Sequence, residues 1–494
     1  MPKASCVRVL LALSFLTTGA ALAQTLTVGL DAEPVRLDPA LSAAAVDRQV
    51  LYQVFDRLVE VDDQLKIVPS LARSWKITDG GLTYTFTLRG GVEFHDGTPL
   101  DAAAVKYSLE RNLTLEGSAR KNELSAVKSV TALNPTTVRL TLSAPYGPLL
   151  AVLSDRSGMI VSPTAARAAG KNFGLKPVGS GPFRFASRTQ QDNIALDAFR
   201  RYWGGTPRLD KLVYRPFPDG DVRYANLVSG AAQVIVLDAK DVAKVEHNAK
   251  LGVLTIPTLG FQGIWLNTAR PPFNDRRVRQ AVAQTIDRNA VVNVVFRNTA
   301  KPAAGPFPPG TPAYSPALKV PTPNVADARK KLQQSGKSDL TFTLIAATGT
   351  VTSQLAQLYQ AMMAQAGINV KIELLDNGAL SARATSFDFD AALLNWSGRI
   401  DPDGNIYDWV RTGGTYNYGR YSNKEVDALL GKARLLSAMS ARKATYNVAL
   451  GKVLEDMPYI WVYHQSLLYG VSKDVSGLDP SPDGILRFKG VSLK

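Results

Sequence analysis

One cysteine, Cys6, stands in a chain of 494 residues. With no second cysteine there is no internal disulfide and no cysteine-based metal cluster, so a protein of this size must be held together by core burial. Apolar residues make up 45% of the chain, which excludes wholesale disorder, and no apolar run reaches the roughly 18 residues of a membrane span. At roughly 100–200 residues per domain, the length implies two to four domains or one multi-lobed body.

The N-terminus reads as a cleavable export signal. Lys3 and Arg8 form a short basic region, Val9-Leu-Leu-Ala-Leu-Ser-Phe-Leu16 an apolar core, and Ala21-Leu22-Ala23 an A-x-A cleavage site before Gln24. Cys6 lies upstream of the apolar core, whereas a lipid-modified cysteine would sit at the cleavage point. The expectation is a signal peptide over residues 1–23 and an exported, cysteine-free protein without a lipid anchor, most simply in the periplasm. The net charge of +15 raises the question of nucleic acid. Yet the Lys and Arg residues are dispersed, with no block of five or six, and no pattern of stacking aromatics accompanies them, which argues against that partner.

Short strands and helices alternate along the chain. Residues 25–30 alternate with β-branched side chains and read as a strand, and residues 47–58 carry Val50, Leu51, Val54, Phe55 and Leu58 at helical spacing. Asp79-Gly-Gly81 is a turn between Trp75-Lys-Ile77 and an alternating strand with Leu82, Tyr84, Phe86 and Leu88 on one face. Asp101 or a neighbour caps a helix to about Asn112, and a second hairpin turns at Asn134-Pro135. Gly179-Ser-Gly-Pro182 is a sharp turn before a strand at 183–185 paired with 194–196. Asn274-Asp275 caps a helix through Arg288, and the proline-rich residues 301–323 are irregular. Helices are expected at 325–335, 351–366, 423–436 and 439–456, with strands at 340–346, 369–375 and 390–395 between them. This alternation means α/β or α+β lobes.

Four stretches carry a resemblance. Residues 71–111 contain Trp75-Lys-Ile-Thr-Asp79-Gly-Gly-Leu-Thr83-Tyr-Thr-Phe86, then Phe94-His95-Asp-Gly-Thr-Pro99-Leu-Asp101 and Val105-Lys-Tyr-Ser108. This closely resembles the signature of the family 5 extracellular solute-binding proteins, the peptide- and nickel-binding receptors of ABC importers. Pro177-Val-Gly-Ser-Gly-Pro-Phe183 is similar to the family's lobe-crossing turn. Pro272-Phe-Asn-Asp-Arg-Arg-Val-Arg-Gln-Ala281 through Asp287-Arg288 is similar to the opening of its second large lobe. Asp388-Phe-Asp390 through Trp396 and Asp401-Pro-Asp403 is similar to its cleft segment.

The resemblance implies a class II periplasmic-binding-protein fold, α/β, with two lobes, an additional subdomain and a ligand cleft between the lobes. On it, residues 24–44, 177–257 and 466–494 form a discontinuous lobe I, 45–176 its extra subdomain, and 258–465 lobe II. It further implies capture by lobe closure and delivery to membrane permease subunits served by separate ATPase subunits, with no cofactor, no metal and a monomeric receptor. His95, among turn residues, is expected to hydrogen-bond locally, and Trp75 to lie in the core rather than the cleft.

The candidate ligand contacts are Asn395, Trp396, Gly398, Arg399 and Asp401, at the end of the apolar strand Ala391-Ala-Leu-Leu394. An indole, a guanidinium and carboxylates can stack on an apolar group, pair with a ligand carboxylate and accept from an amine. Asp401-Pro-Asp403-Gly404 reads equally as a solvated turn with Arg399 paired to Asp401. Dipeptide-binding relatives place an Asp where this chain has Arg399, to hold the ligand ammonium, and an Arg on the strand at about 342–348. Here that strand, Phe342-Thr-Leu-Ile-Ala-Ala-Thr348, carries no charge. Arg399 therefore points to a ligand with an acidic group, or one bound mainly through backbone contacts.

Alternatives within the family are an opine, a glycoside or a metal chelate as ligand. From another class, the alternative is a secreted hydrolase, for which a nucleophile elbow, H-E-x-x-H or a triad assembled in space would serve. Gly179-Ser-Gly181 lacks the elbow's spacing, His95, His247 and His464 are dispersed, and no Walker A motif is present.

Overall fold

A computed structural model describes residues 24–478 and 480–494. The signal-peptide expectation for residues 1–23 lies outside the described residues. The strand Thr25–Leu30 alternates as its sequence demands and buries Leu26, Val28 and Leu30. It sits inside a seven-stranded sheet, parallel to Lys211–Pro216 on one side and Val234–Val236 on the other. Asn193–Ala198 and Phe183–Thr189 extend the sheet beyond the first neighbour; Ser466–Ser472 and Leu251–Pro257 extend it beyond the second.

A second sheet has six strands in the spatial order Lys301–Pro302, Tyr459–His464, Phe261–Leu266, Ala391–Trp396, Thr341–Ala347 and Asn369–Leu375. Helices Arg276–Thr285, Thr350–Ala364 and Met439–Asp456 pack apolar residues such as Val282, Tyr359 and Leu450 against it. A third sheet, Ala72–Thr78, Thr83–Leu88, Thr137–Leu142 and Val127–Asn134, closes over the helix Ala102–Thr114 with its own core of Tyr84, Phe86, Val105 and Leu140. Asp101 caps that helix by accepting from Ala104 N–H at 3.0 Å. The fold is thus mixed α/β, with separate cores behind separate sheets.

Two main-chain segments pass directly from the seven-stranded sheet into the six-stranded one. Leu251–Pro257 pairs with Ser466–Ser472 in the first, and Phe261–Leu266 pairs with Tyr459–His464 in the second. Thr258 joins them at the crossing, donating its N–H and Oγ1 to Gln465 O at 3.1 and 2.7 Å.

Three sequence expectations are corrected. The helix expected over 47–58 is Asp47–Val54, because the Val54 carbonyl accepts from Gly181 N–H at 2.9 Å in place of another helical turn. The helix expected through Arg288 breaks at Ile286. Asp287 caps a new helix, Arg288–Phe296, whose Arg288 Nε donates to Trp461 O at 2.7 Å. His95 does not bond locally: its ring donates from Nε2 to Gly181 O at 2.9 Å, and Gly179 N–H points to Nδ1 at 3.4 Å, tying the third sheet's domain to the Gly179–Gly181 turn.

That turn needs its glycines for close approach. A Cβ on Gly179 would stand 2.1 Å from Val54 O, whereas one on Gly252 in an outer strand meets nothing within 4 Å. Gly179→Ala is therefore expected to lower the unfolding free energy by about 2 kcal/mol or more, while Gly252→Ala changes it by less than about 1 kcal/mol. Urea titration of the two variants checks the contrast.

Candidate functional site

The strand Ala391–Trp396 ends at the cavity between the third sheet's domain and the second sheet's lobe. After it the chain turns sharply at Gly398, whose φ of +84° and neighbour Leu259, 2.4 Å from a would-be Cβ, both require glycine. The helix Asp403–Val410 then holds the loop in place. Asn405 Oδ1 accepts from Trp396 Nε1 at 2.9 Å and Arg399 N–H at 2.7 Å, and its Nδ2 donates to Arg399 O at 2.8 Å. The Arg399 guanidinium lies 4.3 Å from the Trp396 ring centre and donates to Gly398 O at 2.9 Å. Among the described residues it has no ion-pair partner within 4.0 Å.

The two aspartates of this segment are already engaged. Asp401 is held by the buried Arg442 on both oxygens, with Nη1 donating to Oδ2 at 2.7 Å, and Asp401 Oδ1 accepts from Asp403 N–H at 2.8 Å. Asp403 accepts from Arg434, whose Nη2 reaches Oδ2 at 2.9 Å. Asp401 and Asp403 thus belong to a helix start, not to a solvated turn, and Arg399 does not pair with Asp401.

The cavity has a volume of about 110 Å³. Trp396, Arg399, Asp401 and Asp403 line one wall, and Tyr146, Pro148, Ala151 and Asp155 line the facing wall. Asn395 is exposed and does not line the cavity, while Gly398 is buried behind the loop. The lobes touch around it. Gly147 N–H donates to Arg434 O at 2.9 Å, and Val61 and Leu65 pack on Leu259 and Ile400.

The facing wall was missed by sequence reasoning. Asp155 sits in Ser154-Asp155-Arg156-Ser157, a polar run flanked by apolar residues in which all four members are buried. Four polar residues between apolar segments are a signal of a buried network, and here Tyr52 Oη donates to Asp155 Oδ1 at 3.0 Å while Arg48 Nε lies at 3.4 Å. Arg48 and Arg156 hold the Asp155 carboxyl far below the usual carboxylate range against the opposing effect of burial, so it is ionised at neutral pH. Among the described residues no group of three or more His, Cys, Asp or Glu could hold a metal ion. No described helix is long and apolar enough to cross a membrane.

A cavity walled by two separately cored bodies, with continuous strands bridging them, defines a binding protein of the two-lobed class. Residues 66–418 match the bacterial extracellular solute-binding proteins, family 5 Middle, and the chain belongs to that family. It is 30% identical over 476 residues to the glutathione-binding protein GsiB of Pectobacterium atrosepticum, covering 92% of each chain. The solved structure of the ABC transporter-associated periplasmic binding protein DppA from Helicobacter pylori with peptide STSA is 28% identical, with a TM-score of 0.86 over 95% of this chain and 98% of that one. The binding protein AgaA with agropinic acid, from A. tumefaciens R10, is 29% identical, with a TM-score of 0.84 over 95% and 99%.

His464 lies at the crossing, its Nδ1 bonded to Gly260 O at 3.0 Å, and burial pulls its pKa down to about 4. The unfolded chain therefore holds the extra proton between about pH 6.5 and 4, and stability falls as pH drops through that window. Burial pushes the Asp403 carboxyl up to about 6 against the pull of Arg434, which acts in the opposite sense over an overlapping range. Comparing His464→Gln with the parent isolates the histidine: the parent's stability advantage is expected to shrink by about 3 kcal/mol from pH 7 to pH 4 in paired urea titrations.

Proposed function

We propose that this chain is the periplasmic receptor of an ABC importer, capturing peptides or peptide-like small molecules that carry an acidic group. Capture is by closure of two lobes, and delivery is to a membrane permease whose separate ATPase subunits supply the energy. The receptor binds and releases its ligand unchanged. The carrying observation is Arg399: Arg434, the other arginine lining the cavity, is engaged with Asp403, whereas Arg399 is stacked on Trp396 and has no ion-pair partner among the described residues. An unpaired cation beside an indole suits a ligand carboxylate flanked by apolar surface. The relatives' ligands, glutathione and peptide STSA, are peptides.

In this reading residues 24–44, 177–257 and 466–494 make lobe I, 45–176 its subdomain and 258–465 lobe II. Support comes from the two crossings at 258 and 465 and from the separate cores behind the three sheets. Trp396 and Arg399 meet the ligand, Asp401 holds the loop through Arg442, and Asn395 and Gly398 act through the loop's shape. A second reading keeps the same site with an opine as ligand, favoured by the agropinic acid bound to the Agrobacterium protein. Mass spectrometry of the ligand released by denaturing the protein from its host decides between them: a peptide supports the first, an opine the second.

Two variants probe the mechanism. Arg399→Ala is expected to weaken binding of acidic peptides by about tenfold or more, with neutral peptides affected far less; calorimetric titration of both sets reads the difference. Gly147 faces the other lobe, where a Cβ would stand 2.4 Å from Leu436 O. Gly147→Ala is expected to impede closure, weakening the ligand-induced contraction in small-angle scattering while the ligand-free melting temperature holds within about 2 °C.

A further inference from the structure

The charges around the cavity are nearly all matched. Asp401 is bonded to Arg442, Asp403 to Arg434, and Glu123 to Arg120 at 2.7 Å, with the Ser157 hydroxyl donating to its other oxygen at 2.5 Å. Among the described residues two are left open. One is the Arg399 guanidinium on the second lobe. The other is a single oxygen of Asp155 on the facing wall.

Asp155 is held entirely through Oδ1. That atom accepts from Tyr52 Oη at 3.0 Å and from Arg156 N–H at 2.7 Å, and Arg48 Nε and Arg156 Nε lie 3.4 and 3.8 Å away. Its Oδ2 takes no hydrogen bond among the described residues and is not among the atoms sealed from solvent. Arg48 is itself anchored beneath, 4.0 Å from Asp483, so the carboxylate is braced from behind and presents one bare oxygen to the cavity it lines. The Arg399 charge is felt at Asp155 across the cavity, yet the two make no ion pair within 4.0 Å. A carboxylate oxygen that takes no hydrogen bond and a guanidinium with no ion-pair partner among the described residues therefore line the cavity from opposite walls.

We propose that Asp155 Oδ2 is the receptor for the ligand's ammonium group, so that the cavity recognises a zwitterion: ammonium on the first lobe at Asp155, carboxylate on the second at Arg399. This rests on the peptide reading above and adds the ligand's orientation and its second charge. It also supplies a reason for closure. Each lobe holds one pole of the ligand, so only a molecule carrying both poles is gripped from both sides. A monopolar ligand leaves one wall's desolvated charge unmatched.

The test uses the full mature protein with a dipeptide library plus glutathione, offered free and in N-acetylated form, and retained species read by native mass spectrometry. N-acetylation removes the ammonium and keeps the carboxylates. The parent protein is expected to prefer free over acetylated forms by about tenfold or more. In Asp155→Asn that preference is expected to collapse to about twofold or less, whereas Arg399→Ala weakens both forms. Equal retention of free and acetylated forms by the parent protein overturns the ammonium subsite while leaving the peptide reading standing. Persistence of the preference in a folded Asp155→Asn likewise overturns it. Retention of nothing in either form overturns the peptide reading, and the zwitterion with it. Should Asp155→Asn fail to fold, the parent protein's own preference still decides.

Discussion

The architecture depends on two adjacent antiparallel strands that run unbroken from one sheet into the other. Leu251–Pro257 leads into Phe261–Leu266, Tyr459–His464 leads into Ser466–Ser472, and Thr258 bonds Gln465 at the point where they cross. Because the strands are hydrogen-bonded on both sides of the crossing, slipping one by a residue would exchange the buried and exposed faces in both sheets at once. The ribbon can bend but cannot slide. The cavity's position follows from it, since the cores on either side are separate and the ribbon determines how their facing walls approach.

A second constraint is the pairing of buried charge. A buried arginine needs its donors satisfied: Arg288 meets main-chain carbonyls, whereas Arg442, 2% exposed, meets the carboxylate of Asp401. The same logic joins Arg434 to Asp403 and Arg48 to Asp155. The Asp401–Arg442 and Asp403–Arg434 pairs fix one wall of the cavity, and Arg48 braces Asp155 on the other. The consequence is selective: Asp401 and Asp403 are spent on structure, while Arg399, the Trp396 ring and one oxygen of Asp155 line the cavity without a carboxylate or arginine partner of their own there.

Local order was largely legible along the chain. The alternation that buries Tyr84, Phe86 and Leu88 and the Asp101 cap both rest on neighbours in sequence, and both appear as the spacing demands. The family resemblance and the α/β fold class were likewise legible, because the long stretch from Trp75 to Arg111 encodes a whole hairpin and helix. What failed were boundaries set by distant groups. Nothing between residues 47 and 58 says that Gly181 will take the Val54 carbonyl, and nothing near Ile286 says that Arg288 will be drawn to Trp461. His95 was misjudged for the same reason: its partners lie at Gly179 and Gly181.

At the candidate site the division is sharper. The sequence by itself determined that a turn rich in charge, Arg399 included, follows an apolar strand at Trp396. That is a property of adjacent residues, and the apolar run of the strand carries it. Only the tertiary structure decided which charges are spent. Asp401 and Arg442 are 41 positions apart and Asp403 and Arg434 are 31 apart, and no local pattern distinguishes a carboxylate that will meet an arginine from one that will meet solvent. Asp155 lines the same cavity as Arg399 although 244 positions separate them, because the crossing strands bring two separately cored walls face to face, and desolvation makes each charge there matter.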